Sequence, residues 1–128
     1  MKLLLDTHTL FWWAFDAPEL SRRARGLLAD RANTLYVSSA SAWEIATKHR
    51  VGRLPEAAVL VQDMPGWFLR AGLTELPITV AHAARAGSLP GSHRDPFDRM
   101  LAAQSLLERL PIVGCDKQLE AFGVELVW

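Results

Sequence analysis

Four carboxylates in this chain stand where an acid could do chemistry rather than merely solvate a surface: Asp6, Glu44, Asp98 and Asp116. Each sits where an apolar segment gives way to a predicted helix start. Asp6 ends Leu3-Leu4-Leu5. Glu44 follows the strand-like Leu35-Tyr36-Val37 after a serine-rich turn. Asp98 lies in His93-Arg94-Asp95-Pro96-Phe97-Asp98, and Asp116 follows Pro111-Ile112-Val113-Gly114-Cys115. In an open parallel α/β sheet such junctions share one edge, beyond the carboxyl ends of the strands, where ligands bind. Acids gathered there repel one another unless a divalent cation joins them, and oxygen-only donors suit Mg²⁺ or Mn²⁺. The lack of a Cys/His ligand spacing argues against zinc. One or two such ions can activate water and stabilise the leaving oxygen of an in-line attack on phosphorus. The residue types alone therefore point to phosphoryl hydrolysis and no further.

Each acid also has a capping reading. Asp6 and Asp116 could serve as N-caps. Glu44 and Asp98 fall three residues after Ser41 and Asp95, where the acid of a capping box sits. The two readings are compatible, because the partial positive charge of a helix N-terminus favours nearby carboxylates. Asp95 is followed by Pro96, the pattern of an N-cap with proline at the first helical position. Asp95 therefore reads as a cap before it reads as a ligand. His8 and His93 lie beside the acids and read as structural or substrate-orienting groups. Arg94 and Arg99 could meet phosphates or form ion pairs with the acids.

The elements that must position these residues can be read in order. Leu3 to Leu5 is a short buried strand. Thr7 to Phe15 is a helix or loop rich in aromatics, and Ser21 to Ala32 an amphipathic helix. Thr34 to Val37 is a second strand. Ser41 opens a helix towards Arg50 that Gly52 ends. Ala57 to Leu69 is helical with a break near Pro65-Gly66. Leu73 to Leu76 is a third strand, and Thr79 caps a short helix to Ala86. Phe97, Met100, Leu101 and Leu107 recur at helical spacing through Leu110, where Pro111 stops the helix. Ile112 to Cys115 is a strand, Asp116 to Phe122 a helix, and Val124 to Val127 a closing strand. Strands alternating with helices imply an α/β fold with a mainly parallel sheet covered on both faces.

The bulk numbers are consistent with this. The 128 residues form one expected domain, residues 1–128, with 50% hydrophobic and 22% charged residues. No segment approaches the roughly 18 consecutive apolar residues of a membrane span. Asp6 interrupts the N-terminal apolar run before it reaches signal-peptide length. The single cysteine, Cys115, excludes an internal disulfide framework and fits a cytoplasmic location. It reads as a small core residue. Lys plus Arg and Asp plus Glu are equal at 14 each, so the chain lacks the basic excess of many nucleic-acid binders. An acidic catalytic centre offset by basic clusters at Arg22, Arg23 and Arg25, and at Lys48, Arg50 and Arg53, is compatible with that balance.

Three stretches together resemble the motifs of PIN-domain ribonucleases, in particular VapC-like toxins of bacterial type II toxin–antitoxin systems. They are Leu3-Leu4-Leu5-Asp6-Thr7-His8-Thr9-Leu10, Ser41-Ala42-Trp43-Glu44-Ile45-Ala46 and His93-Arg94-Asp95-Pro96-Phe97-Asp98-Arg99. The resemblance covers essentially the whole chain. It implies a three-layer α/β/α fold and an endoribonuclease dependent on Mg²⁺ or Mn²⁺. It carries catalytic, metal-binding roles onto Asp6, Glu44 and Asp98, and a fourth acidic position onto Asp116. It further implies support from the Thr7 hydroxyl, an RNA substrate, a cognate antitoxin partner and a homodimer. The fourth motif departs from the family pattern, with Gly114 where Ser or Thr often stands.

Five tryptophans in so small a domain are expected to be mostly core. Among Phe11, Trp12, Trp13, Phe15 and the other aromatics, some are left to line a pairing surface, with base stacking a further use. Two other functions compete with the nuclease. A non-catalytic PIN-fold binding module is one. A haloacid-dehalogenase-like phosphatase is the other; it also starts from an apolar strand ending in Asp, but needs a second Asp where His8 stands.

Overall fold

The computed structural model describes all residues, 1–128. Leu3, Leu4 and Leu5 are each 0% exposed, and their alternation on the pleat organises the molecule. Leu3 and Leu5 join one apolar cluster, and Leu4 joins a second on the opposite face. A strand buried on both sides needs a continuous apolar run, which is what this one has. At about 1.5–3 kcal/mol for each fully buried leucine, the segment just before Asp6 is among the most firmly held in the chain.

The strands are β1 (Lys2–Leu5), β2 (Thr34–Ser38), β3 (Thr74–Leu76), β4 (Ile112–Val113) and β5 (Leu126–Val127). They form one sheet in the order β3-β2-β1-β4-β5, and every pairing is parallel. The helices are α1 (Thr7–Ala14), α2 (Arg22–Ala29), α3 (Ser39–Arg50), α4 (Ala58–Gln62), α5 (Met64–Arg70), α6 (Val80–Ser88), α7 (Pro96–Glu108) and α8 (Lys117–Glu120), with a 3₁₀ turn at Pro55–Ala57. Leu10, Ala24, Leu28, Ile45 and Phe68 place α1, α2, α3 and α5 over the Leu3/Leu5 face. Ala86, Leu101, Ala102, Ala103 and Leu119 place α6, α7 and α8 over the Leu4 face. The expected three-layer α/β/α arrangement is therefore present. The chain moves outward from β1 to β3, crosses back through α6 and α7, and adds β4 on the other side of β1. The strand order thus reverses between β1 and β4, the kind of switch point where open α/β sheets bind ligands.

Several local expectations change. The second helix-forming serine turn starts earlier than its capping-box pattern suggests. Ser38, not Ser41, is the N-cap of α3, its Oγ accepting from the Ala40 N–H at 3.0 Å. β2 runs on through Ser38, so the helix begins at Ser39 and Glu44 lies in the second turn, beyond capping reach. The break in the 57–69 stretch falls at Asp63, whose carboxylate caps α5 through the Gly66 N–H. β4 ends at Val113, so Cys115 is exposed rather than a core residue. Leu107 is 41% exposed instead of inward, because α7 buries its Leu101-to-Ser105 stretch against its neighbours. Gly52, at φ +82°, ends α3 in the left-handed conformation that favours glycine.

Candidate active site

The four predicted acids reach the same edge by different local routes. Asp6 is the N-cap of α1 by backbone position, but its side chain makes no capping hydrogen bond. Its carboxylate is thus left for other partners although the residue is 3% exposed. Glu44 is equally buried, at 3%, and is met one helical turn later by Lys48, whose Nζ donates to Oε2 at 2.6 Å. Asp98 stands in the first turn of α7 and accepts from His93 Nε2 at 2.7 Å. Asp95 is the true cap there, accepting from the N–H groups of Phe97 and Asp98, as expected from Asp95-Pro96. Asp116 caps α8 through the Gln118 N–H at 3.0 Å.

Electrostatics shows which acids share a field. The Asp98 carboxyl is held above its ordinary range. Burial is the main cause, the charges of Asp95, Asp6 and Glu44 add to it, and the His93 hydrogen bond opposes it. The charges of Asp6 and Glu44 thus reach the Asp98 carboxyl. His8, with Nδ1 3.5 Å from Asp6 Oδ2, has its pKa raised by the interaction with that carboxylate. Burial opposes the rise, and the charges of Asp6 and Glu44 assist it. Partial burial, then the charges of Asp6 and Asp116, raise the Cys115 thiol although the residue as a whole is exposed. Asp116 stands two residues after Gly114, whose backbone packs against Asp6.

Buried hydroxyls brace this edge. Thr7 Oγ1 and Ser41 Oγ lie 2.9 Å apart, joining the residue after Asp6 to the helix that carries Glu44. Thr9 Oγ1 donates to the Val113 carbonyl at 2.8 Å and fixes α1 to the end of β4. Gly114 has a steric reason. A Cβ built there would lie 2.9 Å from Asp6 Cβ, so the residue that departs from the family pattern is what lets Asp6 sit against β4. Arg99 pairs with none of the acids. Its guanidinium donates to the carbonyls of Ala86, His93 and Leu89 and ties down the loop before α7. Arg94 is exposed.

Sequence reasoning grouped Lys48 with a basic cluster and missed its role as the partner of Glu44. The i, i+4 spacing of the two on one helix was the available signal. The Ser38–Gln104 contact was also missed. Gln104 is fully buried, accepts from Ser38 Oγ, and donates to the Leu76 and Pro77 carbonyls. No local pattern announces a contact across 66 residues.

The donor chemistry fits a hard divalent cation: oxygen ligands, several negative charges and a raised carboxyl that a cation would lower. The side chains are not preassembled as a ligand set. No three His, Cys, Asp or Glu residues stand grouped as a metal site, and Glu44 and Asp98 are paired with Lys48 and His93.

Comparison with known proteins agrees with this architecture. The chain is 33% identical over 82 residues to "Ribonuclease VapC16" of Mycobacterium tuberculosis, covering 62% of this chain and 58% of that protein. It is 29% identical over 122 residues to "Ribonuclease VapC22" of the same organism, covering 93% and 90%. Its fold is similar to a chain in the crystal structure of VapBC2 from Rickettsia felis bound to a DNA fragment from their promoter. That match has a TM-score of 0.72 and 17% identity, and covers 99% of this chain and 98% of the other. The PIN-domain family model matches residues 3–125, a span that runs from Leu3 in β1 past β4 and takes in every acid described above, and the chain belongs to the PIN-domain family.

Proposed function

We propose that this protein is an endoribonuclease dependent on Mg²⁺ or Mn²⁺, the toxin of a toxin–antitoxin pair, which hydrolyses RNA phosphodiester bonds at the edge bearing Asp6, Glu44 and Asp98. The observation that carries this reading is geometric: buried Asp6 follows β1 at the switch point of a parallel sheet, the Thr7–Ser41 contact ties it to the helix carrying buried Glu44, and the charges of both reach Asp98. The names of its ribonuclease relatives support it. A bound ion would supply an activated water and charge to offset that building on phosphorus. Asp6, whose carboxylate is free of capping, is the first ligand; Glu44 and Asp98 complete the inner set, and Asp116 is the fourth acid. His93 orients Asp98 by its hydrogen bond, and Thr7 with Ser41 keeps Asp6 and Glu44 in register. The partners of this reading are the RNA, a cognate antitoxin protein and a second copy of the chain.

The purified chain, freed of any antitoxin, should cut RNA in Mn²⁺ and stop in EDTA. Asp6→Asn should lower cleavage at least about 100-fold, since outer-shell changes alone cost about 10–100-fold at metal sites. Cleavage that survives both EDTA and Asp6→Asn refutes the reading. One observation favours a second reading, a non-catalytic PIN module: Lys48 and His93 already satisfy two of the acids. Folded protein that takes up no Mn²⁺ by calorimetry would select it.

A further inference from the structure

The cations in and beside the acid motifs differ in what the fold leaves them to do. Lys48 is paired with Glu44. Arg99 gives its guanidinium to the carbonyls of Ala86, His93 and Leu89. Arg94, just before the Asp95 cap, is exposed and enters no ion pair.

Arg94 lines a cleft of about 550 Å³ between the loop before α7 and α8, together with Ser92, His93, Gln118 and Phe122. Two of these residues reach the acids. His93 Nε2 lies 2.7 Å from Asp98 Oδ2, and the Gln118 N–H donates to Asp116 at 3.0 Å. The cleft therefore opens one residue away from Asp98 and from Asp116. Its frame is held in place. The His93 ring packs on Phe122 with centroids 5.9 Å apart, and Arg99 Cζ stands 5.5 Å over the same Phe122 ring. No aspartate or glutamate lines the cleft, and only two of its eight lining residues are hydrophobic, so it suits an anion rather than an apolar group. We infer that Arg94 holds, in this cleft, a phosphodiester of the RNA substrate adjacent to the one cleaved at the acids. The inference rests on the ribonuclease reading and deepens it.

The charge balance at the edge gives the physical reason. An RNA strand engaged at the acids carries a further phosphate one nucleotide away on either side, and carboxylates repel it. Lysines plus arginines only equal aspartates plus glutamates, at 14 each, so no overall basic field offsets that repulsion. A free guanidinium offers a planar fork of donors that matches phosphate oxygens. Lys117, beside Asp116, is also exposed and unpaired, but it does not line the cleft. An acidic protein segment would meet the same fork. Contact of the lining residues with both Asp98 and Asp116 favours the substrate, because the strand held at those acids passes the mouth of the cleft. A phosphate contact positions the strand without reading its sequence.

The test uses the full chain and a fluorescein-labelled single-stranded oligoribonucleotide of mixed sequence, with anisotropy read in Ca²⁺. Arg94→Ala should raise Kd about 5- to 10-fold, the scale of one charge-assisted contact at a partly exposed place. The slope of log Kd against log salt should fall by about 0.7, the value of one phosphate of a single strand. Arg94→Lys should keep the slope and recover part of the affinity. Arg23→Ala removes an exposed, unpaired charge on α2 and should leave both readings near the parent. An equal loss there assigns the effect to net charge and overturns the inference. In copies of the probe each carrying one uncharged methylphosphonate linkage, one position should reproduce the loss, and that loss should not add to Arg94→Ala. In Mn²⁺ the cleavage defect should fall on KM rather than kcat. Unchanged RNA affinity and salt slope in Arg94→Ala overturn the subsite. So does a defect confined to binding poly-glutamate, because the cleft then serves a protein. A chain that cleaves RNA in Mn²⁺ and is silenced by Asp6→Asn, yet ignores Arg94→Ala, loses the subsite alone. A chain that neither binds nor cleaves RNA loses the ribonuclease reading with it.

Discussion

Lys48 Nζ lies 2.6 Å from Glu44 Oε2, so a buried acid of the site is neutralised by a cation from the next turn of its own helix. Under the proposed function, the lysine would compete with a bound ion for Glu44. The contact also explains how a metal-free chain can hold a carboxylate at 3% exposure.

Lys48→Met should expose this competition. With the ammonium gone, Glu44 loses its hydrogen-bonding partner, and the metal-free protein should lose about 1–3 kcal/mol in urea unfolding. Mn²⁺ should bind the variant more tightly and restore more stability than it gives the parent. Equal Mn²⁺ affinity in the two proteins by calorimetry would show that the lysine does not compete.

Gly114→Ser restores the hydroxyl residue common in related PIN motifs, but places its Cβ 2.9 Å from Asp6 Cβ. The obstacle is the base of a buried side chain, not a flexible tip, so the added atom should act as overpacking. A loss of about 1–3 kcal/mol is expected, with reduced cleavage as Asp6 shifts. Unchanged stability and activity would mean that β4 can retreat from β1 at no cost.

The pH dependence of the metal-free protein has a definite sign. Asp98 is raised from 3.8, chiefly by burial, and His8 from 6.5, chiefly by Asp6. Both protons are bound more tightly in the folded state. Their stabilisation is complete below 3.8 and 6.5 respectively, and is lost as pH rises through the raised folded values. The difference in melting temperature between the parent and Asp98→Asn should therefore shift against the parent as pH climbs above 3.8. Mn²⁺ needs the ionised carboxylate, so its increment in melting temperature should grow over the same window. An increment largest in acid would contradict the assignment.

Gln104→Leu tests how far the site depends on the fold around it. The substitution leaves the Ser38 hydroxyl and the carbonyls of Leu76 and Pro77 without their amide partner. A loss of about 1–3 kcal/mol is expected, with weaker Mn²⁺ binding because Ser38 sets the start of the Glu44 helix. Calorimetry and urea unfolding check both parts. Stability lost with Mn²⁺ affinity intact would confine Gln104 to the core.

The sequence by itself determined the features that rest on local patterns. Leu3-Leu4-Leu5 must be a strand buried on both faces, because three consecutive leucines leave neither side for water. Asp95-Pro96 must open a helix, because a cap acceptor and a residue without an N–H suit that one position. Those patterns are enough to read the layers of the fold. Tertiary structure decided what each side chain is free to do. Ser41 reads as a cap, but its hydroxyl meets Thr7, 34 residues away, and the cap passes to Ser38. Cys115 reads as core until β4 proves to end at Val113. Arg99 reads as a phosphate or carboxylate partner until three backbone carbonyls claim it. The four carboxylates are written in the chain; their partners, Lys48, His93, His8 and the glycine that makes room for Asp6, are fixed only when distant strands and helices close on one another.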